Sequence, residues 1–117
     1  MPAEVPEPNE VLQPDWREWS FAELSYRIAS AFFDGSVPEK DLREMVGQAV
    51  NFDAPLVKIA ESVNILELFH GPSLAFKDFG ARFMARLMGW LTREDDRELT
   101  VLVATSGDTG GAVASAF

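Results

Sequence analysis

The stretch T-V-L-V-A-T-S-G-D-T-G-G at residues 100–111 decides the fold class. Its first five residues form a short, continuously apolar run, the pattern of a parallel strand covered on both faces. Gly107, Gly110 and Gly111 mark a turn, and Ala112 onward reads as the start of a helix. Strand, glycine turn and helix in immediate succession predict an α/β protein. Such a strand needs neighbouring strands and covering helices. The chain therefore reads as the front portion of a larger α/β protein, with the last helix cut short.

The turn is also the first candidate site. Glycines let a backbone approach a ligand closely, and N–H groups at a helix N-terminus suit an anion. Thr105, Ser106 and Thr109 add hydroxyls around Gly107 and Asp108. The spacing is not G-x-G-x-x-G, and no lysine follows as in a nucleoside-triphosphate loop, so both nucleotide readings are weak. Asp108 would also repel a polyphosphate. Residue types alone leave two readings open, an anion site or a plain joint capped by Ser106 or Asp108.

Upstream of the strand, residues 79–91 have helical spacing, with Phe79, Phe83, Met84, Leu87, Met88 and Leu91 as the expected inner face. Arg82, Arg86 and Arg93 fall to the other side and read as a solvated face. Just before this helix stands H-G-P-S-L-A-F-K-D at residues 70–78, the second candidate site. Lys77 lies behind Leu74, Ala75 and Phe76. Partial cover and a positive helix end both favour the free amine that attacks carbonyls. Asp78 suits a helix start for dipole reasons alone. By residue type, a surface lysine beside a capping aspartate is the commoner outcome. His70 reads as structural, next to the Gly71-Pro72 break.

The first half of the chain has a different character. Pro2, Pro6, Pro8 and Pro14, with Glu4, Glu7 and Glu10 between them, predict an extended lead-in. Ser20 and Glu23 form a capping-box pair ahead of Phe21, Leu24, Ile28 and Phe32, and Gly35 can end that helix. A second pair, Ser36 and Glu39, precedes a stripe of Leu42, Met45, Val46, Ala49 and Val50. Residues 20–50 thus predict a helical hairpin. Two short strands follow, at residues 56–59 and 65–69. Trp16, Trp19 and Trp90 read as core or interface aromatics. The expected division places a helical domain at residues 1–61 and the beginning of an α/β domain at 62–117.

Composition closes off other classes. At 47% hydrophobic and 25% charged, the chain is not a disordered or low-complexity protein. The absence of cysteine removes disulfides, zinc–thiolate sites and cysteine nucleophiles, and a single histidine removes multi-histidine metal sites. No metal site is expected. A net charge of −9 argues against nucleic acid and anionic membrane partners. The acidity is uneven: residues 1–61 hold twelve acids against five bases, residues 62–117 seven against five. The second half accepts an anion more readily. No apolar run approaches the roughly 20 residues of a membrane span, and no secretory signal pattern is visible. A cytoplasmic protein is the default expectation.

Two segments together carry a resemblance. E-L-F-H-G-P-S-L-A-F-K-D-F-G at residues 67–80, followed by A-T-S-G-D-T-G at 104–110, closely resembles the threonine synthase family, pyridoxal-phosphate enzymes of the tryptophan-synthase-β type, or fold type II. The acidic helical region resembles that family's N-terminal domain by character more than by motif. The resemblance implies a three-layer α/β catalytic domain, begun here and incomplete. It implies that Lys77 is the lysine that carries pyridoxal 5'-phosphate. It implies that Thr105, Ser106, Gly107, Asp108 and Thr109 hold the substrate's α-carboxylate near the cofactor. The implied reaction, the last step of threonine biosynthesis, converts O-phospho-L-homoserine and water to L-threonine and phosphate. Ser73 stands where the family usually has threonine, which keeps the hydroxyl. The family's glycine-rich cup for the cofactor phosphate, and the residue facing the pyridine nitrogen, lie further along its chains. Residues 1–117 alone are therefore expected to be inactive, and residues 1–6 resemble a stretch that normally follows a short N-terminal segment. Two alternatives remain at this point: a non-catalytic helical interaction module keeping a decayed piece of the enzyme domain, and a related phospho-lyase.

Overall fold

The lead-in does not stay extended beyond Pro8. Pro8 opens a single helical turn, α1 (Pro8–Val11), and a 3-10 turn follows at Trp16–Glu18. Proline at a first helical position is pre-set for the helix and gives up an N–H that would have no partner anyway. The computed structural model describes residues 5–33 and 35–117, so the first four residues of the lead-in lie outside the described residues. Contacts divide the chain into two units, Met1–Asn51 and Phe52–Phe117. The expected boundary, at 61, falls ten residues later, inside the second unit. The reason is pairing: residues 56–60 form one strand of a hairpin whose other strand begins at Val63.

The first unit is a helical hairpin of α2 (Phe21–Phe33) and α3 (Glu39–Ala49). Ser20 caps α2 as expected, its Oγ accepting the Glu23 N–H at 3.1 Å. The reciprocal half of the capping box does not form, because the Glu23 carboxylate is committed elsewhere. It accepts from Arg27 Nε and from Arg43 of α3, each at 2.6 Å. Gly35, at φ 74°, takes the left-handed conformation beyond the end of α2. Ser36 then bonds backwards, its N–H and hydroxyl both donating to the Phe33 carbonyl. It finishes α2 instead of starting α3, whose N-cap is Pro38 with no side-chain bond. Leu42, Met45, Val46 and Ala49 are buried as the stripe predicts, Val50 is half-buried, and Tyr26 of α2 is buried as well. Phe21, Ile28 and Phe32 were expected inside but remain exposed, because α3 lies on the side of α2 that carries Glu23 and Tyr26.

Arg43 ties the hairpin together. Its guanidinium lies 3.7 Å from the centroid of the Tyr26 ring and bonds both Glu23 and Glu39. The Arg43 hydrogen bond, then that of Arg27, holds the Glu23 carboxyl below its ordinary range. A carboxylate whose folded value is depressed stabilises the fold above its unfolded value, and that contribution vanishes as pH falls through the folded one. Glu23→Gln is therefore expected to melt below the unmodified protein at pH 7, with the gap closing as pH falls below the ordinary carboxylate range. Thermal unfolding followed by circular dichroism checks this; a gap independent of pH would show that the ion pairs do not stabilise the hairpin.

The second unit begins with an antiparallel hairpin, β1 (Leu56–Ala60) and β2 (Val63–Leu66). Leu56 faces Leu66, Ala60 faces Val63, and an irregularity lies between Lys58 and Ala60. The two-residue connection at Glu61-Ser62 fixes this register and draws the second strand earlier than the expected 65–69. Two helices follow, α4 (Lys77–Leu91) and α5 (Asp108–Ala116). They pack through small residues, Ala81 and Ala85 against Ala112, Val113 and Ala116, with Val101 at the edge. The expected aromatic face of α4 is therefore not the one α5 covers. Alanines on both helices allow a closer approach than Phe83 or Met88 would. Arg86 also leaves its expected solvated role, its guanidinium donating to the Ala116 carbonyl at 3.2 Å, where cations suit a helix C-terminus.

Residues 100–104 do not form the expected strand. The segment lacks a hydrogen-bonded neighbour among the described residues, and Leu102 is 90% exposed. A strand exists only through its ladder, and the ladder among the described residues is β1 with β2. The wider expectation stands: a helical N-terminal region precedes a mixed helix-and-strand region. Among the described residues, no helix is long and apolar enough to cross a membrane.

Candidate functional site

Both sequence motifs arrive at helix starts. Lys77 is the first residue of α4 and Asp108 the first of α5. Packing of the two helices brings Lys77 Nζ to 3.6 Å from Asp108 Oδ2. The amine also lies 4.1 Å from the centroid of the Phe76 ring. The lysine side chain is 29% exposed, more covered than the surface lysine that residue type alone favours. It stands at the polar end of a cleft of about 440 Å³ whose apolar wall includes Leu66, Phe69, Leu74 and Phe76. That volume is within the usual range for small-molecule sites.

The turn ahead of Lys77 is unusually determined. Leu74 has φ 57°, the left-handed region, which costs a branched aliphatic residue on the order of 1 kcal/mol or more. Its N–H donates to the Gly71 carbonyl at 3.0 Å. The turn is held from below by Asp78, the one fully buried charged residue among the described residues. Asp78 accepts the Ser73 N–H at 2.9 Å and the Ser73 hydroxyl at 2.7 Å. Asp78 thus does more than the expected service to a helix dipole. Its burial was not legible, because the five-residue reach back to Ser73 exists only once Leu74 turns left-handed. His70 is bonded to Glu67 at 2.7 Å and tilted against Phe69.

The loop of residues 105–109 is exposed along its whole length. Thr105 Oγ1 accepts two N–H groups, from Gly107 and Gly110, each at 3.0 Å. The N-cap of α5 is Gly107 itself, without a side-chain bond, so neither Ser106 nor Asp108 caps the helix. Gly107 has φ 149° and ψ −83°, a conformation open to glycine and strained for other residues. Accepting these two bonds folds the loop, and the Thr105 hydroxyl keeps its own hydrogen to donate. Ser106 and Thr109 remain on the open side, next to first-turn N–H groups that have no partner within their own helix. Among the described residues, no group of three His, Asp or Glu is arranged to hold a metal ion.

Comparison with known proteins supports what the two motifs suggest. The family described as "Threonine synthase N terminus" matches residues 1–50. Threonine synthase of Serratia marcescens is 52% identical over 86% of this chain and 23% of its own length. The crystal structure of threonine synthase from Escherichia coli superposes with a TM-score of 0.86 at 43% identity, over 99% of this chain and 27% of that one. The chain belongs to the threonine synthase family. It corresponds to the family's N-terminal part and spans about a quarter of the length of the relatives it matches. A second threonine synthase structure, from Brucella melitensis and described as PLP bound, superposes with a TM-score of 0.85 at 34% identity, over 100% of this chain and 26% of that one. The family match over residues 1–50 coincides closely with the first structural unit, Met1–Asn51.

Proposed function

We propose that this chain supplies the cofactor-holding lysine and the substrate-carboxylate loop of a pyridoxal-phosphate-dependent threonine synthase. The reaction is O-phospho-L-homoserine and water to L-threonine and phosphate. The observation that carries the proposal is the approach of Lys77 and Asp108, which joins two distant motifs at one cleft. The cleft suits a planar aromatic aldehyde, having apolar walls and the Lys77 amine at its polar end. When bound, pyridoxal phosphate supplies an electron sink for carbanion chemistry at the substrate's α-carbon.

The residues of this chain have distinct tasks in that scheme. Lys77 would hold the cofactor through its Nζ amine and would carry protons at that atom. The N–H groups of Asp108 and Thr109 at the start of α5, with the Ser106 and Thr109 hydroxyls, receive the substrate's α-carboxylate. Thr105 shapes that loop through its bonds to Gly107 and Gly110. Leu74 and Phe76 line the cleft beside the amine. A cytoplasmic site of action accords with this role. Borohydride reduction of the full-length, cofactor-loaded protein, followed by peptide mapping, is expected to place the pyridoxyl label on Lys77. A label on another lysine would overturn the assignment.

A further inference from the structure

We propose that Asp78 and Ser73 are positioning residues for the Lys77 amine, acting through the turn that precedes it. The inference rests on the assignment of Lys77 above. Asp78 is fully buried, directly follows Lys77, and binds Ser73 twice, through its N–H at 2.9 Å and its hydroxyl at 2.7 Å. A buried carboxylate is costly unless its oxygens are bonded, so this pairing is strongly enforced. It closes residues 73–78 into a loop. Leu74, at φ 57°, is held in a conformation it would otherwise leave. Phe76, two residues further, is thereby set as the face over which the amine lies at 4.1 Å. A lysine has four rotatable side-chain bonds, and fixing the start of that side chain narrows the region its nitrogen explores. Gly71 completes the arrangement, since any Cβ there would fall 2.8 Å from the Asp78 Cβ.

The bonding pattern separates geometry from charge. An asparagine at position 78 can still accept the Ser73 N–H and can donate its amide to the Ser73 oxygen. Alanine there can do neither. In the full-length protein, stripped of cofactor, the rate of pyridoxal phosphate capture is read by absorbance and by borohydride-trapped label on Lys77, from pH 6 to 9. Asp78→Ala is expected to slow capture about tenfold or more, while Asp78→Asn stays within about threefold of the unmodified protein. Ser73→Ala is expected to slow capture about threefold or more, and Ser73→Thr to restore it. If Asp78→Ala does not fold, the Ser73 pair decides. A folded Ser73→Ala protein that melts lower but captures the cofactor at the unmodified rate would overturn the positioning role while leaving Lys77 assigned. A label away from Lys77 in the unmodified protein would overturn both.

Discussion

Lys77→Ala in the full-length protein is expected to lower phosphate release from O-phospho-L-homoserine by more than about 10³-fold, with little change in melting temperature. The two parts of this expectation have separate grounds. The amine is asked to hold the cofactor and to carry protons, and no alanine can do either. Its contribution to stability is small: an ion pair at 3.6 Å to an exposed Asp108 side chain and a contact with the exposed Phe76 ring each stabilise by about 1 kcal/mol at most. Lys77→Arg sharpens the test. It keeps the positive charge and can keep the pairing with Asp108, but its guanidinium is not a nucleophile at neutral pH. Lys77→Arg is expected to fail as completely as Lys77→Ala. An arginine variant that kept a tenth of the activity would mean that the charge, and not the amine, is what the reaction needs.

The helix starts were legible because the punctuation was local. Ser20 could be placed as a cap from its neighbours, and the stripe of Leu42, Met45, Val46 and Ala49 shows in spacing alone. Both candidate motifs were legible for the same reason, as a lysine and a glycine-rich loop each standing before an apolar helix. What escaped the sequence depends on partners distant along the chain. Glu23 was expected to close a capping box, but Arg43, twenty positions away, offered two charges a better geometry. Ser36 could cap forwards or bond backwards, and the end of α2 claimed it. The inner face of α4 was misjudged because aromatic residues dominate a periodicity count, whereas close packing favours the alanines. The run at residues 100–104 has the composition of a strand, yet composition supplies no ladder.

Two glycine substitutions on either end of the same segment are expected to move stability in opposite directions. Gly71→Ala places a methyl 2.8 Å from Asp78 Cβ and 2.9 Å from its Cγ, and closer still to the carboxylate oxygen Oδ2. Gly71 is buried and its carbonyl holds the Leu74 N–H, so the turn cannot simply swing aside. Asp78 cannot yield either, fixed by α4 on one side and by Ser73 on the other. Overpacking of this kind costs about 3 kcal/mol where neither neighbour can move. Gly89→Ala, on the exposed side of α4 with nothing within 4 Å of the added methyl, is expected to gain about 0.5–1 kcal/mol from helix propensity. Denaturant midpoints at unchanged m-value measure both. The double variant Gly71→Ala, Asp78→Ala identifies the source of the loss. Alanine at 78 removes the carboxyl group but keeps the Cβ, and the 2.8 Å approach remains. The double variant is therefore expected to stay well below the unmodified protein. Recovery to the stability of Asp78→Ala alone would show that only the carboxylate end was in the way, and that position 71 tolerates a side chain whenever position 78 is small.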